Sequence, residues 1–274
     1  MSALKRVGSG FVLSEVDAAS TPGFGGSKAE GEAALSAGAS ELYDLQERLF
    51  AESTSGGTRS VLLILQAMDT AGKGGIVNHV IGALSPQGVK HHAFKAPTAE
   101  ELKHDFLWRV RAQLPPPGFV GVFDRSHYED VLIHRVRGLS SPDVIEKRYE
   151  TITQFEHELV AGGTTIIKVM LHISLQEQKA RLLERLDRAD KHWKFNPGDI
   201  DERALWPAYQ EAYQLALERT STPDAPWFVV PADKKWFARL AVQQLLLEAL
   251  RGLDPQWPLA DFDPEVQRAR LDAS

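Results

Sequence analysis

A short apolar segment, a glycine-rich loop carrying one lysine, and an amphipathic helix follow one another between residues 61 and 84. This succession constrains the fold more than any other feature of the sequence. Residues 61–65 are continuously apolar, as is typical of a strand buried on both faces of a parallel sheet. Residues 68–75 form the loop, and apolar residues then recur at helical spacing up to Leu84. The loop is therefore predicted to lie at the carboxyl end of a strand, where open α/β sheets bind their ligands.

Four further segments have the pattern of strands, and helical stretches separate them along the chain. They span residues 89–94, 119–123, 164–173 and 227–230. Strands that alternate with helices build a parallel sheet with right-handed crossovers and helices on both faces. The predicted fold class is therefore α/β.

The sequence divides into an arm, one domain and a tail. Residues 1–39 are rich in Gly, Ser and Ala without a sustained period, so we expect a flexible N-terminal arm. Apolar residues at helical spacing from Leu42 to Phe50 begin a domain that we expect to span residues 40–252, followed by a C-terminal tail at residues 253–274. A chain of 274 residues with 43% hydrophobic content is long enough to bury one sizeable core.

The composition excludes several kinds of site. The chain has no cysteine, so a metal has to be held by oxygen or imidazole ligands. No apolar run approaches the roughly 18 residues of a membrane span, and the N-terminus has no apolar signal segment. A net charge of -6 argues against general nucleic-acid binding. We expect a cytoplasmic protein without membrane or nucleic-acid partners.

The glycine loop has the chemistry of a phosphate site. Free backbone N–H groups and a positive helix end converge there, and Lys73 supplies a full charge. The match to Gly-x-x-x-x-Gly-Lys-Ser/Thr is partial, because Ala67 replaces the first glycine and Gly74 replaces the hydroxyl residue that usually binds magnesium. Asp69 is predicted to compensate as a direct or water-mediated magnesium ligand. The phosphate-binding residues predicted here are Gly72, Lys73, Gly74 and Gly75. The alternative is a tight turn with a solvated lysine.

Asp124 and Arg125 form a second motif, directly after the strand at residues 119–123. An acid next to a glycine loop commonly organises magnesium, so Asp124 is predicted to lie near Lys73. The alternative is a surface salt bridge, since charges at strand ends are ordinary.

A basic run follows in the segment predicted to form a helical lid, at about residues 175–200. Arg181, Arg185 and Arg188 are spaced i, i+4 and i+7, which places them on one helical face. Guanidinium groups match phosphate oxygens and stabilise the charge that spreads during phosphoryl transfer. The residues predicted to extend the basic track toward a polymer are Lys90, His91, His92 and Lys95. Lys90 and Lys95 are predicted to bind phosphate, together with Arg188, Lys191 and Lys194. The alternative is a solvated face of mixed charge.

Three stretches resemble the type-2 polyphosphate kinase family: residues 66–75, 123–132 and 191–195. The similarity extends over about residues 40–252. It implies a P-loop kinase fold with a helical lid, dependence on Mg2+ with Mn2+ as a substitute, and phosphate transfer between inorganic polyphosphate and nucleotides. The catalytic residues that it implies are Asp69, Lys73, Asp124, Arg125, Arg181 and Arg185, with Asp69 and Asp124 on the metal. A homo-oligomer is also expected.

Residues 66–68 and 128–130 are most similar to the branch of that family that accepts both nucleoside mono- and diphosphates. Where many relatives have Asn before the arginine of the second motif, this sequence has Asp124. Two other functions fit the same motifs. An ordinary ATP-dependent nucleotide kinase has the loop and the lid but no need of a longer basic track. A non-catalytic nucleotide-binding switch has no need of both Asp69 and Asp124.

Overall fold

Five parallel strands form a single sheet in the computed structural model, which describes Leu4 and residues 6–274. The strand order is β2-β3-β1-β4-β5, and every ladder between these strands is parallel. The strands are β1 (Ser60–Ala67), β2 (Val89–Ala93), β3 (Val120–Asp124), β4 (Thr164–His172) and β5 (Trp227–Pro231). The five strands predicted from the sequence are confirmed, and so is the α/β fold class.

Helices connect and cover these strands. They are α1 (Lys28–Thr54), α2 (Lys73–His79), α3 (Trp108–Arg111), α4 (Ile133–Val136), α5 (Pro142–Ala161), α6 (Leu175–Asp187), α7 (Gly198–Ala204), α8 (Trp206–Thr220), α9 (Lys235–Leu253) and α10 (Pro264–Asp272). Helix α9 packs on β1 and β4 and against α1, while α5 packs on β4 and against α8. All eight residues of β1 are buried, because this central strand has a neighbour on each side and helices over it. No helix in the described part of the chain is long and apolar enough to cross a bilayer.

The segment expected to form a flexible arm, residues 1–39, contains the first turns of a long helix from residue 28 onward. Helix α1 begins at Lys28, where Ser27 and Glu30 form a capping box. The sequence at the start of α1 shows no helical pattern of apolar residues, because small residues face α9 there. A Cβ on Gly31, for example, would lie 2.3 Å from the Trp236 ring. Upstream, Val7 N donates to Trp227 O at 2.9 Å, which ties the segment to β5. Residues 1–3 and 5 lie outside the described part.

The predicted lid is helical and is tied to the sheet at its base. Helix α6 begins after Ser174, whose hydroxyl accepts from Glu177 N at 3.1 Å. The backbone N–H of Ser174 donates to Asp233 Oδ1 at 2.8 Å, and this bond anchors the lid to the loop that follows β5. A 3-10 helix at Ala189–Lys194 and helix α7 complete the lid.

Candidate active site

The carboxyl ends of the strands open into a cleft of about 580 Å³. The cleft is lined by the glycine loop, by residues that end or follow β2 and β3, by the lid and by the start of α9. This is the edge of the sheet at which the sequence predicted ligand binding.

The two sequence motifs meet in the cleft as two ion pairs that cross between neighbouring strands. Arg125 Nη2 donates to Asp69 Oδ1 at 3.0 Å. Lys73 Nζ lies 4.0 Å from Asp124 Oδ1. The β1–β3 ladder pairs Leu65 with Asp124 and so brings both motifs to the same edge. We call these contacts the crossed pairs.

The backbone of both motifs adopts left-handed conformations. Thr70 has a φ of 66° and Arg125 a φ of 63°, and each costs roughly 1 kcal/mol for a residue with a side chain. Gly72 has a φ of 121°, which only glycine adopts readily. Such strain is held in place by surrounding contacts and clusters at functional sites. The loop is therefore a preorganised structure.

Two carboxylates are available for a metal. The side chains of Asp69 and Asp124 are 29% and 25% exposed, so both reach solvent in the cleft. No group of three or more His, Asp or Glu side chains within the described residues is arranged to hold a metal ion. Magnesium is usually bound through one or two carboxylates, and substrate phosphates and waters supply its other ligands. The residues present therefore fit a magnesium ion that arrives with phosphate.

Glu129 is a third carboxylate, close enough to Arg125, Lys73 and Asp69 to feel their charges, and it is not among the site residues predicted from the sequence. Burial raises the pKa of Glu129, Arg125 and Lys73 act against that rise, and Asp69 adds to it. With its carboxamide nitrogen facing this carboxylate, Gln66 donates to Glu129 Oε1 at 3.0 Å. A third acid four residues after Arg125 was the available signal.

All five N–H donors of Arg181 are used by protein oxygens. The Nε group donates to Glu177 Oε1 at 2.8 Å. The terminal nitrogens donate to four backbone carbonyl oxygens, which belong to Thr70, Ala71, Ala232 and Asp233. The side chain is only 5% exposed. Arg181 therefore joins the glycine loop, the lid and the loop after β5, and no donor remains for a phosphate.

Arg185, one helical turn further on, is placed differently. Its Nη1 group donates to Lys194 O at 3.0 Å and to Asp199 Oδ2 at 3.3 Å. Its side chain is 24% exposed and lines the cleft. Burial raises the pKa of Asp199, and the negative charge of Asp69 adds to that rise. Arg185 keeps free donors toward the cleft because only one of its three nitrogens is bonded.

Most of the predicted phosphate-binding cations line the cleft, and one does not. Those in the lining are Lys95, Arg188, Lys191 and Lys194. Lys90 instead donates to Ala112 O at 3.3 Å and Leu114 O at 3.0 Å, and it does not line the cleft. Its ammonium is held by backbone oxygens that follow α3.

A buried ion pair lies behind the second motif. Lys168 Nζ donates to Glu156 Oε2 at 2.5 Å, to Tyr128 OH at 3.0 Å and to Thr220 O at 2.7 Å. His127 Nε2 lies 3.3 Å from Glu156 Oε1. Because His127 and Tyr128 follow Arg125 closely in sequence, this network fixes the backbone that carries the second motif.

Comparisons with known proteins agree with this geometry. A family model described as polyphosphate kinase 2 (PPK2) matches residues 25–258. The AMP/ADP-polyphosphate phosphotransferase of Meiothermus ruber is 46% identical over 248 residues, which cover 90% of this chain and 91% of that protein. The ADP-polyphosphate phosphotransferase of Rhodopseudomonas palustris is 44% identical over 233 residues, covering 79% of this chain and 78% of that protein.

Among solved structures, polyphosphate kinase 2 from Arthrobacter aurescens TC1 has the same fold. The TM-score is 0.96 at 60% sequence identity, and the match covers 98% of this chain and 95% of that chain. The family resemblance noted from the sequence motifs is thereby confirmed. The chain belongs to the polyphosphate kinase 2 family.

Proposed function

We propose that this protein transfers phosphate between inorganic polyphosphate and nucleoside mono- and diphosphates, with Mg2+ as its metal and Mn2+ as a substitute. The observation that carries the proposal is the pair of crossed contacts in a cleft rich in Lys and Arg. Family membership supports the same reaction. The acceptor range rests on the relative from Meiothermus ruber, whose name covers both AMP and ADP.

The glycine loop holds the phosphate chain that donates the phosphoryl group. Lys73 provides a point charge, and the backbone N–H groups of the loop provide directed hydrogen bonds. Asp69 and Asp124 are the residues that would hold a magnesium ion, and the ion would supply neutralisation of charge on the phosphate oxygens. Phosphoryl transfer depends on positioning and charge neutralisation, so a nucleotide phosphate oxygen attacks without a protein nucleophile.

Arg125 and Arg185 stabilise the group in transfer. Both side chains line the cleft, and each uses only one of its three guanidinium nitrogens in the hydrogen bonds to described residues. We assign Arg181 a different role from the one expected from its position in the sequence. Its five protein contacts support a positioning role, in which it holds the strained loop against the lid.

An ordinary ATP-dependent nucleotide kinase is the competing function. The test is an assay with magnesium and polyphosphate as the only phosphate source, run separately with AMP, ADP, GMP and GDP. Formation of di- or triphosphates supports the proposal. Transfer from ATP but none from polyphosphate would overturn it. Base preference follows from the same assay, while a cytoplasmic location and a homo-oligomeric state stay predictions from the sequence.

A further inference from the structure

Helix α9 adds two cations to the cleft that no motif indicated. Lys235 and Arg239 lie one turn apart at the start of the helix, and both line the cleft. The Arg239 nitrogens Nη2 and Nε lie 3.6 and 3.7 Å from the position of a Cβ built on Gly75. The guanidinium therefore lies directly beside the last residue of the glycine loop.

Arg239 differs from the other arginines of the cleft in having no bonded partner within the described residues. Arg125, Arg181, Arg185 and Arg188 each make an ion pair with a carboxylate at 3.3 Å or less. Arg239 is half-buried, and no hydrogen bond or ion pair from residue 4 or residues 6–274 holds its guanidinium. Burial lowers the pKa of Arg239, the charge of Glu32 opposes this, and the charge of Arg181 adds to it. A partly desolvated cation without a counterion is stabilised by any anion that reaches it.

The surroundings of Arg239 favour a phosphate chain as that anion. From the loop, the cleft continues past Asn78 and His79, which supply polar atoms. The lid carboxylate that lines the cleft, Glu184, is paired with Lys235 at 3.4 Å and with Arg188 at 3.3 Å. The charge of Glu184 is thus already compensated by two cations, and Arg239 is left without an ion-pair partner among the described residues.

We propose that Arg239 binds a phosphate of the polyphosphate donor beyond the one that is transferred, and that Lys235 binds the chain next to it. The inference rests on the proposed function and adds the direction in which the polyphosphate chain runs through the cleft. The polymer leaves the loop toward α9. The nucleotide acceptor then enters from the side of β2 and β3, where Lys95 and Asp124 line the cleft.

The test compares chain lengths. Arg239→Ala and Lys235→Ala are assayed with long-chain polyphosphate and with tripolyphosphate at saturating nucleotide and magnesium. For Arg239→Ala we expect the KM for long-chain polyphosphate to rise about tenfold, because a charge-assisted hydrogen bond is lost. The KM for tripolyphosphate should rise less, and both kcat and the KM for nucleotide should stay within about twofold of wild type. Lys235→Ala should also raise the KM for long-chain polyphosphate more than that for tripolyphosphate, but by a smaller factor than Arg239→Ala.

Matched controls come from the same helix. Lys234 precedes Lys235 without lining the cleft, and Arg251 lies near the other end of α9 paired with Glu41 at 2.6 Å. Lys234→Ala and Arg251→Ala should leave every polyphosphate constant at its wild-type value. Arg239→Gln and thermal unfolding of each variant separate a local effect from a folding defect, and Arg239→Lys should recover part of the affinity.

The outcomes are distinct. A chain-length-dependent KM effect in Arg239→Ala and Arg239→Gln supports the inference. Wild-type constants in both variants, or a fall in kcat with an unchanged polyphosphate KM, would overturn it while the proposed function stands. A wild-type enzyme that does not use polyphosphate at all would overturn the proposed function itself.

Discussion

Exchange of Arg181 for Lys tests whether this buried side chain positions the loop or acts on the phosphate. A lysine keeps the charge but has three donors in place of five, and its ammonium is not planar. At least two of the five oxygens around Arg181 would lose their partner. At about 1.5 kcal/mol for each lost bond to a charged donor, the loss is about 3 kcal/mol.

That loss should appear first in stability and in ground-state binding. We expect Arg181→Lys to lower Tm by at least about 6 °C, since 1 kcal/mol shifts Tm by about 2 °C or more in a domain of this size. The KM for polyphosphate should rise, because Thr70 and Ala71 shape the loop that we propose holds the donor phosphate. Arg185→Lys is the matched control: it should leave Tm within about 2 °C of wild type and lower kcat.

The measurements are thermal unfolding, kcat and both KM values for the two variants at fixed magnesium. A wild-type Tm together with a selective fall in kcat for Arg181→Lys would refute the positioning role. It would return Arg181 to the transition-state role first expected from the sequence. Wild-type kcat for Arg185→Lys would remove that arginine from the transfer step.

Three further predictions concern the loop, the metal and the core. Lys73→Ala should stay folded and lose at least about a hundredfold in transfer rate, as measured by steady-state kinetics, because a preorganised charge at the phosphoryl group is removed. Chelation of the metal should abolish transfer, and Asp69→Asn and Asp124→Asn should each raise the magnesium concentration needed for half-maximal rate. A metal-independent rate would contradict this. Lys168→Met should lower the free energy of unfolding in urea by about 3 kcal/mol, with partial recovery when Glu156→Gln is added.

The same buried pair sets a pH dependence of stability. Burial acts to raise the pKa of Glu156, but Lys168 and His127 outweigh it and bring that pKa below its ordinary value of 4.5. The contribution to stability is therefore complete above pH 4.5 and is lost as the pH falls through the lowered pKa. Urea denaturation of the wild type at a series of pH values checks the sign. Stability that rose on acidification below pH 4.5 would contradict it.

The sheet, and the edge of it that binds ligands, could be predicted because parallel strands that are buried on both faces have continuous apolar sequences. Residues 61–65 can be recognised as such a strand from their own sequence, without knowledge of the segments that pack against them. The roles of Arg181 and Arg185 could not be separated in this way, since both lie on one face of α6. What separates them is the position of Ala232 and Asp233, which come from a loop some fifty residues away in sequence.

Two other features were hidden for related reasons. The start of α1 has little apolar period, because Gly31 and Gly38 admit side chains of α9 where a larger residue would clash. Lys90 has the positive charge of a phosphate ligand, but its ammonium donates to backbone oxygens that follow α3. Such partners depend on packing between segments, which local pattern does not encode.

Asp69 and Asp124 neutralise Arg125 and Lys73 within the protein, so these four side chains together carry no net charge. A bare polyanion meets as much repulsion as attraction at this point, and its long-range attraction comes from the lid and α9 instead. If a phosphate chain arrived with a divalent cation, Asp69 and Asp124 would be the carboxylates to hold the cation, and Lys73 and Arg125 would then be released to bind phosphate oxygens. The proposed roles of these four residues therefore imply that the crossed pairs would favour metal-loaded phosphate over the bare anion.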